Sequence, residues 1–227
     1  MNKIFVIEGT DGSGKHTQTE LIYNKLIKEK RSVAKYSFPN YDNLSSGPVK
    51  EYLNGNISKN ADDISAKAAS LFYAVDRYIT YKESIQKYYN DEKSIILFDR
   101  YTTSNMLHQG GKILKATNSY QKLDEYITWL ENIEYNDLEL PIPTQVFFLH
   151  MDVNFSIKLM NERCKEKNTK KDIHESDTFH LEMAEKSGLY IAKKYNWNII
   201  ECVKENKIRS IDDIHTEIYS KLTKYLD

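Results

Sequence analysis

Five short apolar runs recur along the chain: Ile4–Ile7, Val33–Ser37, Ser94–Phe98, Gln145–His150 and Asn198–Cys202. Runs this brief and this continuous are expected of strands buried on both faces, as in a parallel sheet. Between them the apolar period lengthens. Helices are predicted over Lys15–Lys28, Ser65–Tyr89, Tyr120–Ile133, Val153–Cys164, His180–Tyr195 and Ile211–Tyr225. In the second of these, Ala68, Leu71, Phe72, Val75 and Ile79 form an apolar stripe at helical spacing. Strands that alternate with helices predict an α/β fold with a five-stranded parallel sheet flanked by helices. Ligands in such sheets bind beyond the carboxyl ends of the strands, so the residues at those ends carry the chemistry.

Composition narrows the picture without changing it. The 227 residues suffice for one α/β core, and no linker, repeat or low-complexity stretch divides them. Residues 1–227 are therefore expected to form a single domain. The 32 basic and 33 acidic residues nearly cancel, which argues against nucleic acid or a membrane surface as partner. Cys164 and Cys202 are too few and too far apart for a disulfide framework or a zinc cluster. Reduced thiols, the absence of a signal-like segment and the absence of a bilayer-length apolar run all point to a cytoplasmic protein.

The first strand is followed by Gly9-Thr10-Asp11-Gly12-Ser13-Gly14-Lys15-His16-Thr17. Gly9, Gly14 and Lys15 satisfy the G-x-x-x-x-G-K part of a phosphate-binding loop, in the required strand–loop–helix setting. Glycines let backbone N–H groups converge on a phosphate, and the next helix adds its positive end. Lys15 adds a full charge near the β- and γ-phosphates of a nucleotide. His16 stands where a hydroxyl residue normally meets Mg²⁺. Either Thr17 takes that role, or phosphates, water and a carboxylate hold the ion. Asp11 and Asp99 are the candidate carboxylates, and Mg²⁺ needs only one or two.

The third strand ends in Asp99-Arg100-Tyr101, with Ser104, Asn105 and Gln109 beyond. An Asp-Arg pair facing a phosphate loop suits a metal and a second phosphate, although a structural ion pair would look the same in sequence. Tyr73 and Arg77 lie four residues apart on one helix face. There an aromatic ring can stack on a base and a guanidinium can donate to a base carbonyl, although an aromatic in such a stripe is more often a core residue.

Four motifs in order carry a resemblance that runs from Phe5 to about Cys202. They are Glu8 through Lys15 with Thr17-Gln18, Phe38-Pro39, Leu71 through Arg77, and Asp99-Arg100-Tyr101 with Ser104. With them the chain resembles the thymidylate kinases, of the P-loop NTPase fold, which transfer the γ-phosphoryl of ATP to dTMP. The resemblance implies ATP on residues 9–17, with Mg²⁺ as cofactor. It implies dTMP against Phe38, Pro39, Tyr41, Leu53, Tyr73, Arg77, Arg100, Ser104, Asn105 and Gln109. Tyr73 would stack on thymine, Arg77 would reach its O4, and Asn105 or Gln109 would read N3–H. The basic stretch from Arg163 to Lys171 resembles the family's lid, taken as about 163–178, with Arg163 the first choice for a catalytic cation and Lys167 or Lys171 the second. Asp11, Lys15, Arg100 and Arg163 form the expected catalytic set. A homodimer is implied as well. His108 takes a position where an aromatic residue often crowds the sugar 2′ carbon.

Other enzymes of the superfamily fit less well. A deoxynucleoside kinase would need a carboxylate just after the second strand, and none occurs before Asp42. Adenylate kinase does not match base-reading positions that favour a pyrimidine carbonyl, and Asn206-Lys207-Ile208-Arg209 lacks the Asp that reads guanine in small GTPases. A nucleotide sensor without turnover remains the alternative from another class.

Overall fold

A computed structural model describes residues 3–167 and 177–226, the side chains of Arg163, Glu166 and Lys167 aside. The chain runs β1 (Lys3–Gly9), α1 (Lys15–Lys28), β2 (Val33–Ser37), α2 (Gly47–Leu53), α3 (Ala66–Thr80), α4 (Gln86–Tyr89), β3 (Ile95–Asp99), α5 (Thr102–Thr117) and α6 (Tyr120–Glu131). It continues through β4 (Gln145–His150), α7 (Val153–Lys167), α8 (Thr178–Lys194), β5 (Asn198–Glu201), the small pair β6 (Val203–Lys204) and β7 (Lys207–Ile208), and α9 (Ile211–Thr223). Strands β1 to β5 form one parallel sheet in the order β2-β3-β1-β4-β5. The α/β fold and its five-stranded parallel sheet are as the apolar runs predict.

Side chains alternate across each strand, so β1 serves two cores. Phe5 and Ile7 pack with Ile22 and Leu26 of α1 and Ile218 and Leu222 of α9. Ile4 and Val6 pack with Phe38, Phe98 and Tyr101 on the other face. Helices cover both faces, which is why the strands are apolar at successive positions. The register sets Ile7 and Ser37 level with Asp99, and Gly9 level with Leu149. The phosphate loop, Phe38 and Arg100 therefore leave the same edge of the sheet.

The elements depart from the sequence expectations in several places. The helix expected over Ser65–Tyr89 is α3 and α4 joined by a π-helical turn, Tyr81–Ile85. The helix expected from Tyr120 continues past α6 into a second π-helical turn, Asn132–Asp137. Helices α2 and α5 were not expected. In α5 the polar run Thr102 to Asn105 and the pair Gly110-Gly111 break the apolar stripe, yet most of these residues are buried. The stripe on α3 is also not its buried face. Leu71 and Val75 are 44% and 47% exposed, whereas Ala69, Ser70, Ala74 and Arg77 face inward.

Helix α5 lies directly on α8. A Cβ on Gly111 would sit 2.7 Å from the backbone N of Ala184, closer than packed atoms approach. Gly111→Ala is expected to cost about 1–3 kcal/mol by overpacking, read as a lower midpoint in thermal denaturation. An unchanged midpoint would mean that α5 and α8 separate easily.

Candidate active site

Two clefts open at the carboxyl edge of the sheet. One, with about 570 Å³ of open space, is lined by Asp11, Phe38, Pro39, Tyr41, Leu53, Tyr73, Arg77, Arg100, Tyr101, Ser104, Asn105, His108 and Gln109. All ten positions expected against dTMP are among these. The other, about 1120 Å³, is lined by Asp11, Gly12, Gly14, Lys15, His16, Thr17, Asp99, Arg100, Leu159 and Met160. Asp11 and Arg100 line both, so the clefts meet at this pair.

The phosphate loop is built on left-handed backbone at Gly12 and Gly14, with φ of 79° and 85°, a region glycine enters without steric cost. Lys15 donates to the Thr10 carbonyl at 2.7 Å, which folds its ammonium over the loop. Burial and the nearby Arg100 charge lower the Lys15 pKa to about 8. His16 is 78% exposed, and its Nδ1 lies 3.4 Å from Asp99 Oδ2. Thr17 is exposed as well. Asp99 is buried at the end of β3.

Arg100 follows in left-handed backbone, φ 67°, which is uncommon for a residue with a side chain and recurs at functional sites. Its N–H donates to the Ile7 carbonyl at 3.2 Å, which holds the turn against β1. Its Nη2 is paired with Asp11, and its Nη1 lies 3.2 Å from His108 Nε2. Burial is the largest single influence on Asp11 and would raise its pKa, but the neighbouring charges, Arg100 first, together with the Arg100 hydrogen bond outweigh it and hold the carboxyl well below the usual carboxylate range. Tyr101 stacks on Phe98 with ring centroids 4.5 Å apart and donates to the Pro141 carbonyl at 3.0 Å.

At the far end of the first cleft Arg77 is 1% exposed and Glu134 fully buried. Arg77 donates from Nε at 2.7 Å and from Nη2 at 2.5 Å to the two oxygens of Glu134. Thr102 Oγ1 donates to the same carboxylate at 2.7 Å and Asn105 Nδ2 at 3.3 Å. Nη1 of Arg77 makes only a 3.5 Å contact with the Tyr101 carbonyl. Gln109 Oε1 is buried without a hydrogen-bond partner. A second buried carboxylate, Glu8, accepts from Gly9 N–H at 3.0 Å and from Thr103 Oγ1 and Ser104 Oγ at 2.8 Å each. Both carboxylates thus sit at the N-terminus of α5, where the helix dipole favours negative charge.

Sequence reasoning missed Glu134, Thr102 and Glu8 as members of the site. Glu134 lies in a π-helical turn far along the chain from Arg77, with no motif around it. The one available signal was an Arg in a helix expected to be buried, which requires a carboxylate somewhere. Of the expected catalytic set, the Arg163 side chain lies outside the described residues, as do residues 168–176 of the expected lid and the Lys167 side chain. Among the described residues no group of three or more His, Cys, Asp or Glu could hold a metal by itself. Nor is any helix long and apolar enough to cross a membrane.

A family model described as thymidylate kinase matches residues 7–218. A probable thymidylate kinase of Methanocaldococcus jannaschii is 27% identical over 221 residues, spanning 97% of this chain and 96% of the relative. The thymidylate kinase of Thermosipho melanesiensis is 28% identical over 97% of each chain. That of Schizosaccharomyces pombe is 25% identical over 95% of this chain and 89% of its own.

Removing one partner of a buried ion pair strands the other. Glu134→Leu is expected to lose about 3–5 kcal/mol of stability, read by chemical denaturation. Combined with Arg77→Met it should lose less than the two single changes added together. Strict additivity in that double-mutant cycle would show the pair to be uncoupled.

Proposed function

The chain belongs to the thymidylate kinase family, and from that premise we propose that it transfers the γ-phosphoryl of ATP to dTMP, in a single domain with a lid over about 163–178. The observation that carries this reading is the wall shared by the two clefts. A triphosphate on the phosphate loop and a monophosphate in the first cleft would bring their phosphates together at Asp11 and Arg100.

The base end favours a pyrimidine with a carbonyl at C4. Glu134 neutralises Arg77 and occupies Nε and Nη2, so Nη1 is left to donate to that carbonyl. Cytosine would present an amino donor there and clash donor to donor. Gln109 Oε1, buried and unpartnered, is the acceptor for N3–H. Tyr73 stacks on the ring. Phe38, Pro39, Tyr41 and Leu53 close the cleft around the nucleotide, and Ser104 and Asn105 line its α5 side.

At the other end Arg100 exchanges part of its contact with Asp11 for the acceptor phosphate and points it at the γ-phosphoryl. The N–H groups of residues 9–17 and the Lys15 ammonium hold the donor phosphates. Positioning and charge account for most of such a transfer. No general base is required, because the acceptor phosphate is already an anion near neutral pH. The side chains fit Mg²⁺, which keeps most of its waters and takes one or two carboxylates with substrate phosphates. Asp99 would hold the ion or its waters, with Asp11 the second candidate. Bound there, Mg²⁺ would neutralise phosphate charge. The lid cations, Arg163 first, would add to that, and the protein would work in the cytoplasm.

Acceptors tested in parallel by ADP release should rank dTMP first, dUMP next, and dCMP, AMP and thymidine far below. Arg100→Ala should lose about 10²–10³-fold in kcat with little loss of melting temperature. Wild-type turnover of that variant at saturating dTMP would remove Arg100 from the role. Nucleotide binding without turnover on any acceptor would favour the sensor.

A homodimer of this chain fits the exposed stripe on α3. Leu71 and Val75 are four residues apart on one face, and both are large, apolar and about half exposed. In sedimentation velocity the wild-type chain should run at twice its monomer mass and Val75→Asp as a monomer. A monomeric wild type would exclude the dimer.

A further inference from the structure

His108 lines the first cleft at the position expected against the sugar, and the proposed transfer gives its imidazole nitrogens no part. It is next to Gln109, at the base end, and its ring reaches Arg100, at the phosphate end. A guanidinium has five donors and no acceptor. The imidazole nitrogen 3.2 Å from Arg100 Nη1 must therefore present its lone pair, which fixes the ring as the neutral Nδ1–H tautomer. Burial supports that state, lowering the His108 pKa to about 3. The ring lies nearly parallel to that of His180 in α8, centroids 6.0 Å apart and planes 21° apart. His180 is itself kept neutral by burial, its pKa lowered to about 4.

Arg100 is thus gripped on two sides by groups of different charge. Asp11 takes Nη2 as an anion. His108 takes Nη1 as a neutral acceptor. We infer that His108 is a positioning residue for phosphoryl transfer: it fixes the direction of the Arg100 guanidinium while leaving its charge for the acceptor phosphate. The inference rests on the reading of Arg100 as the acceptor-phosphate residue. A second carboxylate at position 108 would hold the guanidinium as firmly but would repel the phosphate. A hydrocarbon ring would fill the space but leave Nη1 unheld. When an anionic substrate displaces Asp11, the neutral contact has no charge to compete with and persists.

Two measurements test this, the first independent of any reaction. In ¹⁵N NMR of the free protein at neutral pH, the His108 imidazole should show Nε2 unprotonated and Nδ1 protonated, assigned by loss of the signals in His108→Phe. A protonated Nε2 would overturn the hydrogen bond. In steady-state kinetics His108→Phe, which keeps the ring volume, should lower kcat about tenfold and raise KM for dTMP about tenfold. KM for ATP should stay within about twofold. His108→Gln returns an acceptor near the Nε2 position and should recover most of both losses. A fall in melting temperature with kcat and KM unchanged, or a Gln variant no better than Phe, would reduce His108 to packing. A wild-type protein inactive on dTMP would overturn the Arg100 reading and the positioning role with it, an outcome distinct from a variant that behaves like an active wild type.

Discussion

The carboxylate of Glu134 is the point on which the base end of the first cleft depends. It is fully buried and takes donors from Arg77 in α3 and from Thr102 and Asn105 in α5. An isolated carboxylate in such a place would be too costly to keep ionised. With these donors its lone pairs are filled, and each donor is fixed by the others. Arg77 loses its freedom to rotate, because two of its nitrogens are held in one plane by a bidentate pair. Helix α5 is tied at its first turn to a helix that begins 36 residues earlier in sequence, counting from Ala66 to Thr102. The pair adds little to stability in itself, since desolvation offsets most of the Coulomb attraction. What it supplies is geometry.

Two arginines, each paired with a carboxylate, differ in what they can do because they differ in burial. Arg77 and Glu134 are 1% and 0% exposed, and that pair has no route to open. Its guanidinium acts as a fixed hydrogen-bond donor with its charge cancelled, which suits a neutral carbonyl better than a phosphate. Arg100 and Asp11 are 23% and 13% exposed, at the junction of the clefts. There solvent or an incoming anion can replace the carboxylate. In the proposed transfer the same residue type would therefore serve recognition at one end and charge stabilisation at the other, with depth deciding which.

Much of this was legible in the sequence, for identifiable reasons. The strands read as apolar runs because the sheet is covered on both faces. The phosphate loop was legible because glycine and lysine have few other uses between a strand and a helix. Tyr73 and Arg77 stood out through the family motif that contains them, their spacing placing both on one helix face. What the sequence hid was contact between distant segments. Glu134 carries no local mark, and its partnership with Arg77 exists only once α3, α5 and the π-helical turn after α6 have packed. Helix α5 was missed because its inward face is a site rather than a core: Ser104, Asn105, His108 and Gln109 occupy positions where a stripe of Leu or Ile would have announced a helix. Patterning rules fail at functional surfaces for this reason. On α3 the rule failed in the opposite sense, since Leu71 and Val75 face out while Ala69, Ser70, Ala74 and Arg77 face in.

The polar face of α5 also acts as a ruler. Ser104 and His108 are one turn apart, as are Asn105 and Gln109, and a turn advances about 5.4 Å. The residues proposed to meet the phosphate end and the base end of one nucleotide are thus spaced by helix geometry rather than by loops. A ruler works only if it cannot slide. Gly110 and Gly111 cost helix propensity, about 1 kcal/mol each relative to Ala, but without Gly111 the helix could not lie against the backbone of Ala184, and a Cβ on Gly110 would press on the side chains of Ser187 and Leu123. Glu8 and Glu134 fix its first turn, and the α8 contact fixes its middle. A chain that kept the same cleft residues but replaced the glycines with better helix formers would hold α5 further out. Gln109 and the Arg100–His108 contact would then move together, so base recognition and phosphate alignment would weaken in the same variant. That coupling explains why two poor helix formers sit in the interior of the helix that carries the site.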